Sequence, residues 1–175
     1  MMIAHLGGQK AIAIDTESNS LFAYQERVCL IQLSSRERDY LLDPFAFDDL
    51  QALGELMADE RVQKIMHAGD YDISTLKRDY DFSFNNVFDT MLAASALGES
   101  SLGLSTLLEK YFGIELAKKY QRANWGERPV KDDMLRYAQA DSHFIIPLRD
   151  YLLPRLEAIG WLELVQEDAN AMAKN

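Results

Sequence analysis

Cysteine is nearly missing from this chain: Cys29 is the only one. A single thiol excludes a disulfide framework within the chain. Its apolar setting, Val28-Cys29-Leu30-Ile31, reads as an inert buried thiol. Positive charge is also scarce, with 18 Lys and Arg against 28 Asp and Glu, a net charge of -10 and a pI near 4.7. That balance excludes a pervasive basic field that gathers nucleic acid nonspecifically, so such a ligand would need local patches and bound cations. No apolar run approaches membrane-spanning length. The opening residues, Met1 to Gly8, lack a charged-then-apolar leader pattern. The expected location is cytoplasmic, with no membrane partner. Neither a Walker-type glycine loop nor a nucleophilic serine elbow is present. The remaining composition, 48% hydrophobic and 26% charged over 175 residues, is that of an ordinary globular chain. Its length suits one domain, expected to span residues 1–175.

The stretch Ala11-Ile12-Ala13-Ile14-Asp15-Thr16-Glu17 organises the rest. Its apolar run predicts a strand buried on both faces. Side chains alternate along a strand, so Asp15 and Glu17 share a face about 7 Å apart while Thr16 points away. Further strands are predicted at residues 27–33 and 39–43, joined as a hairpin, then at 62–66 and, briefly, at Val87-Phe88. Asp48 is expected to cap a helix carrying Leu50, Leu53, Leu56 and Met57. Another helix follows His67-Ala68-Gly69, with Ile73, Leu76 and Tyr80 on one face and Asp70 as its cap. Residues 90–97 and the set Leu104, Leu107, Leu108 and Phe112 predict two more, the latter stopped by Gly113. A long helix starts near Asp132 and is expected to kink at Pro147. An amphipathic piece covers residues 154–165, and the tail 166–175 is polar. Three sequential antiparallel strands followed by alternating strands and helices predict an α/β fold, with a mixed sheet flanked by helices.

Carboxylates recur at three places: Asp15 and Glu17; Asp70 and Asp72 after His67; and Asp141. Tyr137 and Asp141 lie four apart on a predicted helix and share a face, with no Lys or Arg on neighbouring same-face positions. Paired acids at the end of a buried strand are costly unless something positive sits between them, and divalent cations with oxygen ligands meet that need. Two cations about 4 Å apart need several carboxylates converging from different elements. An all-oxygen set favours Mg²⁺ or Mn²⁺. Zinc is the rival, but His5, His67, His143 and Cys29 show no ligand spacing.

The segments Ala-Ile-Asp-Thr-Glu, His-Ala-Gly-Asp-Tyr-Asp-Ile and Tyr-Ala-Gln-Ala-Asp, in this order, resemble the three exonuclease motifs of the ribonuclease D family. That family belongs to the DEDD 3'–5' exonucleases, in the tyrosine-bearing subclass. Arg27 to Leu33 is similar to the family's second strand, and Phe88-Asp89-Thr90 to its intermediate motif. Lys119-Tyr120-Gln121-Arg122-Ala123-Asn124-Trp125 is similar to the loop before the third motif in exosome-associated members. The resemblance covers nearly the whole chain. It implies a ribonuclease H-like fold, ligation of two divalent metal ions by Asp15, Glu17, Asp72 and Asp141, and a water-positioning Tyr137. The implied activity is release of 5'-mononucleotides from the 3' end of single-stranded RNA or short oligoribonucleotides. The C-terminal helicase-and-RNase-D module of family members has no room in this chain, so a catalytic domain alone is expected.

Several residues carry two readings. Residues 118–131, with Lys119, Gln121, Arg122, Tyr120 and Trp125, form either a solvated loop or a grip on a nucleic-acid strand through phosphate contacts and stacking; Trp125 is equally a core anchor. Thr16 and His67 join the candidate substrate contacts, although a hydrogen-bonded strand end also accounts for His67. His143 reads as structural or as a substrate contact, and Asp89 as a helix cap. DNA-directed exonuclease action and a noncatalytic nucleic-acid-binding domain stand as alternatives. A homo-oligomer is compatible with the chain.

Overall fold

The computed structural model describes all 175 residues. A short helix, α1 (Met2–Gly7), leads into β1 (Ala11–Ser18), β2 (Val28–Ser34) and β3 (Asp39–Leu42). These three strands form an antiparallel meander, β1 on β2 and β2 on β3. A single 3-10 turn at Pro44–Ala46 precedes α2 (Gln51–Ala58), and β4 (Gln63–Met66) then pairs with β1 in parallel. Helix α3 (Asp70–Tyr80) returns the chain to β5 (Val87–Asp89), parallel to β4. The sheet order is β3-β2-β1-β4-β5. Helices α4 (Thr90–Ala96), α5 (Leu104–Phe112), α6 (Asp132–His143), α7 (Ile145–Ile159) and α8 (Leu162–Lys174) complete the fold. The expected mixed sheet is present, three antiparallel strands followed by parallel ones.

Strand alternation splits the core in two. Ile12 and Ile14 point into a cluster with Val28, Ile31, Leu33 and residues of α1, α2, α3 and α8. Ala13, between them, faces the opposite cluster with Ile65, Phe88 and residues of α4, α5 and α7. A third cluster packs Leu30, Trp125, Met134 and Ala138 between β2 and α6. Asp15 and Glu17 continue the Ala13 side of β1, where α6 and α7 lie.

Five details differ from the sequence expectations. Leu50 occupies the N-cap of α2, where Asp49 rather than Asp48 accepts the Gln51 N–H. Asp70 does not cap α3: Gly69 holds that position, and Asp70 is exposed in the first turn without a cap bond. The helix break falls at Phe144, ahead of Pro147. Pro147 therefore sits in the first turn of α7, where its missing N–H costs nothing. Pro154 lies inside α7 instead of opening a new helix. The tail is the helix α8, whose Val165, Ala169 and Ala173 are buried. An alanine stripe at four-residue spacing is a weak apolar signal, and α8 is helical because it packs on α3, α4, α7 and β5. No helix is long and apolar enough to cross a membrane.

Candidate active site

The β4–α3 turn is built for closeness. Ala68 adopts a positive φ of 55°. A Cβ at Gly69 would lie 2.7 Å from the Met66 Cβ, so only glycine fits there. The fully buried Asp89 closes the turn from β5, accepting the Ala68 and Gly69 N–H groups at 3.2 and 2.7 Å. The same carboxylate caps α4 through Met91 and Leu92. The turn brings Asp72, in the first turn of α3, to the end of β1. Helix α3 packs on the Ile12 and Ile14 side, so Asp72 meets Thr16, which points that way; the Thr16 hydroxyl donates to Asp72 at 2.5 Å.

On the other side of β1, α6 supplies Asp141. One carboxylate oxygen each from Asp15, Glu17 and Asp141 lies within 4.8 Å of the others. Asp72 adjoins Asp15 from around the strand end. None of the four acids has a Lys or Arg partner in an ion pair. Burial and crowding therefore oppose their ionisation. Desolvation, then the charges of Asp72, Glu17 and Asp141, holds the Asp15 carboxyl well above its ordinary range. Desolvation and Asp141 push Glu17 up to about 9. Asp72 and Asp141 are raised to about 7 and about 6, chiefly by desolvation. An uncompensated all-oxygen cluster of this kind fits a hard divalent cation. His67 and Cys29 lie outside the cluster.

Asp15, Glu17, Asp141 and Tyr137 line one cleft of ≈ 440 Å³, together with Thr16, His67 and Gln121. Its far wall is Gly103 to Thr106, at the start of α5, which the sequence marks as helix but not as part of a site. His67 is pinned through both nitrogens, Nε2 to the Leu102 carbonyl at 2.7 Å and Nδ1 to the Thr90 hydroxyl at 2.8 Å. Desolvation lowers its pKa, favouring the neutral ring. Lys119 lines an adjoining cavity of ≈ 270 Å³ behind Tyr137, with its Nζ 5.3 Å from the Tyr120 ring centroid. Arg122 is exposed and lines neither.

Trp125 takes the second of its two readings, the core anchor, and not a stacking role with a nucleic-acid strand. It is 1% exposed and belongs to the core under α6. Arg128 fixes it, donating to the carbonyls of Trp125 and Cys29 at 2.6 and 2.7 Å and to Asp43 at 2.9 and 3.1 Å. The loop aromatics hold Tyr137 instead of solvent-borne bases: Trp125 stacks on its ring, and Tyr120 meets it edge-on at 6.1 Å.

The 3'-5' exonuclease family matches residues 1–157. The exosome complex exonuclease RRP6 of Saccharomyces cerevisiae is 36% identical over 174 residues, covering 99% of this chain and 24% of the yeast protein. The catalytic core of RRP6 from Trypanosoma brucei superposes with a TM-score of 0.95 at 27% identity, over 99% of this chain and 48% of that one. Escherichia coli RNase D gives a TM-score of 0.92 at 28% identity, over 99% of this chain and 46% of that one. The chain thus spans about a quarter of the yeast relative and under half of the two solved chains. With its three motifs converging on one carboxylate cleft, the chain belongs to the 3'-5' exonuclease family, as a ribonuclease D-like DEDD domain.

Proposed function

We propose that this protein is a metal-dependent exoribonuclease that removes 5'-mononucleotides one at a time from a free 3' end of single-stranded RNA. The observation that carries this reading is the meeting of Asp15, Glu17 and Asp141 within 4.8 Å, in the cleft that Tyr137 also lines. Asp15, Glu17, Asp72 and Asp141 would hold two Mg²⁺ or Mn²⁺ ions. When bound, such ions supply positive charge to the attacking and leaving oxygens of a phosphodiester. Tyr137, packed between Trp125 and Tyr120, orients the attacking water with its hydroxyl. Burial and the nearby acids raise its pKa, so it acts as an oriented hydrogen-bonding group and not as a base. Thr16 holds Asp72, and His67 props the wall near Leu102. Gln121 and Lys119, on the loop beside the cleft, contact the substrate backbone; Arg122 contributes only general charge.

The choice of RNA rests on the relatives: Escherichia coli RNase D is described as an exoribonuclease involved in structured RNA processing. Incubation of linear and circular forms of one single-stranded RNA, with Mg²⁺ or Mn²⁺ and with chelator, tests the reading. The linear form should yield nucleoside 5'-monophosphates only with metal, and the circle should survive. Cleavage of the circle would overturn the exonuclease reading. A matched DNA oligomer degraded faster than the RNA would overturn the substrate choice.

A further inference from the structure

Helix α6 carries both Tyr137 and Asp141, so its roll about its own axis decides whether the two reach the carboxylates of β1. At about 100° per residue, Tyr137 and Asp141 define one edge of the helix. Ala138 and Ser142, both fully buried, define the face against the sheet. Gln139 and His143, both exposed, define the opposite edge, about 200° from the first.

That opposite edge is gripped by one residue. Asp39, at the start of edge strand β3, accepts from Gln139 Nε2 at 2.9 Å and from His143 Nδ1 at 2.8 Å, both at its Oδ2. Its Oδ1 accepts from the Ser34 hydroxyl of β2 at 2.6 Å. Ser34 in turn receives the Ser142 hydroxyl at 2.7 Å, from the buried face of α6. The Asp39 side chain is only 10% exposed although it sits at the sheet edge. One carboxylate thus fastens two strands to one side of the helix, leaving the other side turned towards Asp15 and Glu17.

We propose that Asp39 is a positioning residue of the active site: through Gln139 and His143 it sets the roll of α6 and thereby the placement of Asp141 and Tyr137. The proposal rests on the functional reading above. A rotation of α6 by a few degrees moves side-chain tips far from its axis the most. It therefore disturbs the ligand and the hydroxyl before it disturbs the buried Ala138 and Ser142.

The test compares Asp39→Ala, Asp39→Asn and a Gln139→Ala/His143→Ala double variant with the unaltered protein. The double variant frees the helix edge while leaving the buried Ser34–Ser142 pair intact, so it stays informative should Asp39→Ala fail to fold. Direct Mn²⁺ titration should show weaker binding, by about tenfold or more, in Asp39→Ala and in the double variant, as for other residues that orient metal ligands. On single-stranded RNA, kcat should fall by about ten- to a hundredfold with KM little changed, and Asp39→Asn, which keeps one acceptor oxygen for either Ser34 or the Gln139 and His143 edge and turns an N–H to the other, should recover only part of both. Unchanged Mn²⁺ affinity and kcat in the double variant, or a loss confined to melting temperature, would overturn the proposal. An unaltered protein that binds Mn²⁺ without degrading RNA would overturn the functional reading alone, and the Mn²⁺ comparison would still decide the role of Asp39.

Discussion

The indole of Trp125 stacks on the ring of Tyr137, with centroids 6.0 Å apart and planes 29° from parallel. Of its two readings, a grip on nucleic acid or a core anchor, Trp125 thus takes the second, and it holds the ring of the residue proposed to orient the water. Trp125→Ala should destabilise the protein by about 3–5 kcal/mol, as expected for a buried aromatic, read from denaturant melts. Normal stability with weakened RNA affinity would return Trp125 to the substrate.

Tyr137→Phe should keep the fold, because the Tyr137 hydroxyl has no hydrogen-bond partner within the protein and the ring packing survives the change. Turnover should drop by about a hundredfold through loss of water orientation, with Mn²⁺ affinity intact. A Phe variant that turns over normally would remove the hydroxyl from the mechanism.

Asp70 and Asp72 should separate cleanly. Asp70 is exposed and caps nothing, so Asp70→Asn should leave melting temperature and activity near the unaltered values. Asp72→Asn should abolish metal-dependent hydrolysis while the fold persists, with Thr16 still able to donate to the remaining carbonyl oxygen. An active Asp72→Asn protein would exclude Asp72 from the ligand set.

Asp89 has a structural task. Its carboxylate receives four backbone N–H groups, from Ala68, Gly69, Met91 and Leu92. Asp89→Ala removes a cap and leaves buried donors unpaired, for a cost of about 2–5 kcal/mol. Thermal or denaturant unfolding measures it, and a loss under about 0.5 kcal/mol would contradict the assignment.

Glu17, Asp72 and Asp141 ionise less readily in the folded chain, at about 9, about 7 and about 6 against ordinary values of 4.5, 3.8 and 3.8. The folded state binds more protons, so the stability these groups allow is full below their ordinary values and is lost as pH rises through 6, 7 and 9. Metal-free protein should therefore melt at progressively lower temperature between pH 5 and pH 9. Added Mn²⁺ should restore most of the loss at the alkaline end, because binding requires the ionised carboxylates. A metal-free melting temperature that rises over this range would contradict the crowded-acid description.

Much of this arrangement is legible along the chain. The run from Ala11 to Glu17 reports its own strand, and the spacing of Tyr137 and Asp141 reports their shared helix edge, because both features depend on local periodicity. Contacts made at long range escape such reading. The cap assigned to Asp70 belongs to no side chain, and the turn ahead of α3 is held instead by Asp89, reaching from β5 to the Ala68 and Gly69 N–H groups. The hold of Asp39 on Gln139 and His143 spans about a hundred residues. The far wall of the cleft, Gly103 to Thr106, is the first turn of a helix whose apolar spacing reports the helix but not its place at the site. Helix α8 escapes because alanines at 169 and 173 are barely apolar, and only their packing makes them core.

The most direct test follows a label placed on the 3'-terminal nucleotide of a single-stranded RNA during reaction with Mg²⁺ or Mn²⁺. The first labelled product should be a nucleoside 5'-monophosphate, absent with chelator and absent when Asp15 or Asp141 is replaced by Asn. A label appearing first in a longer fragment, or released equally without metal, would contradict the account.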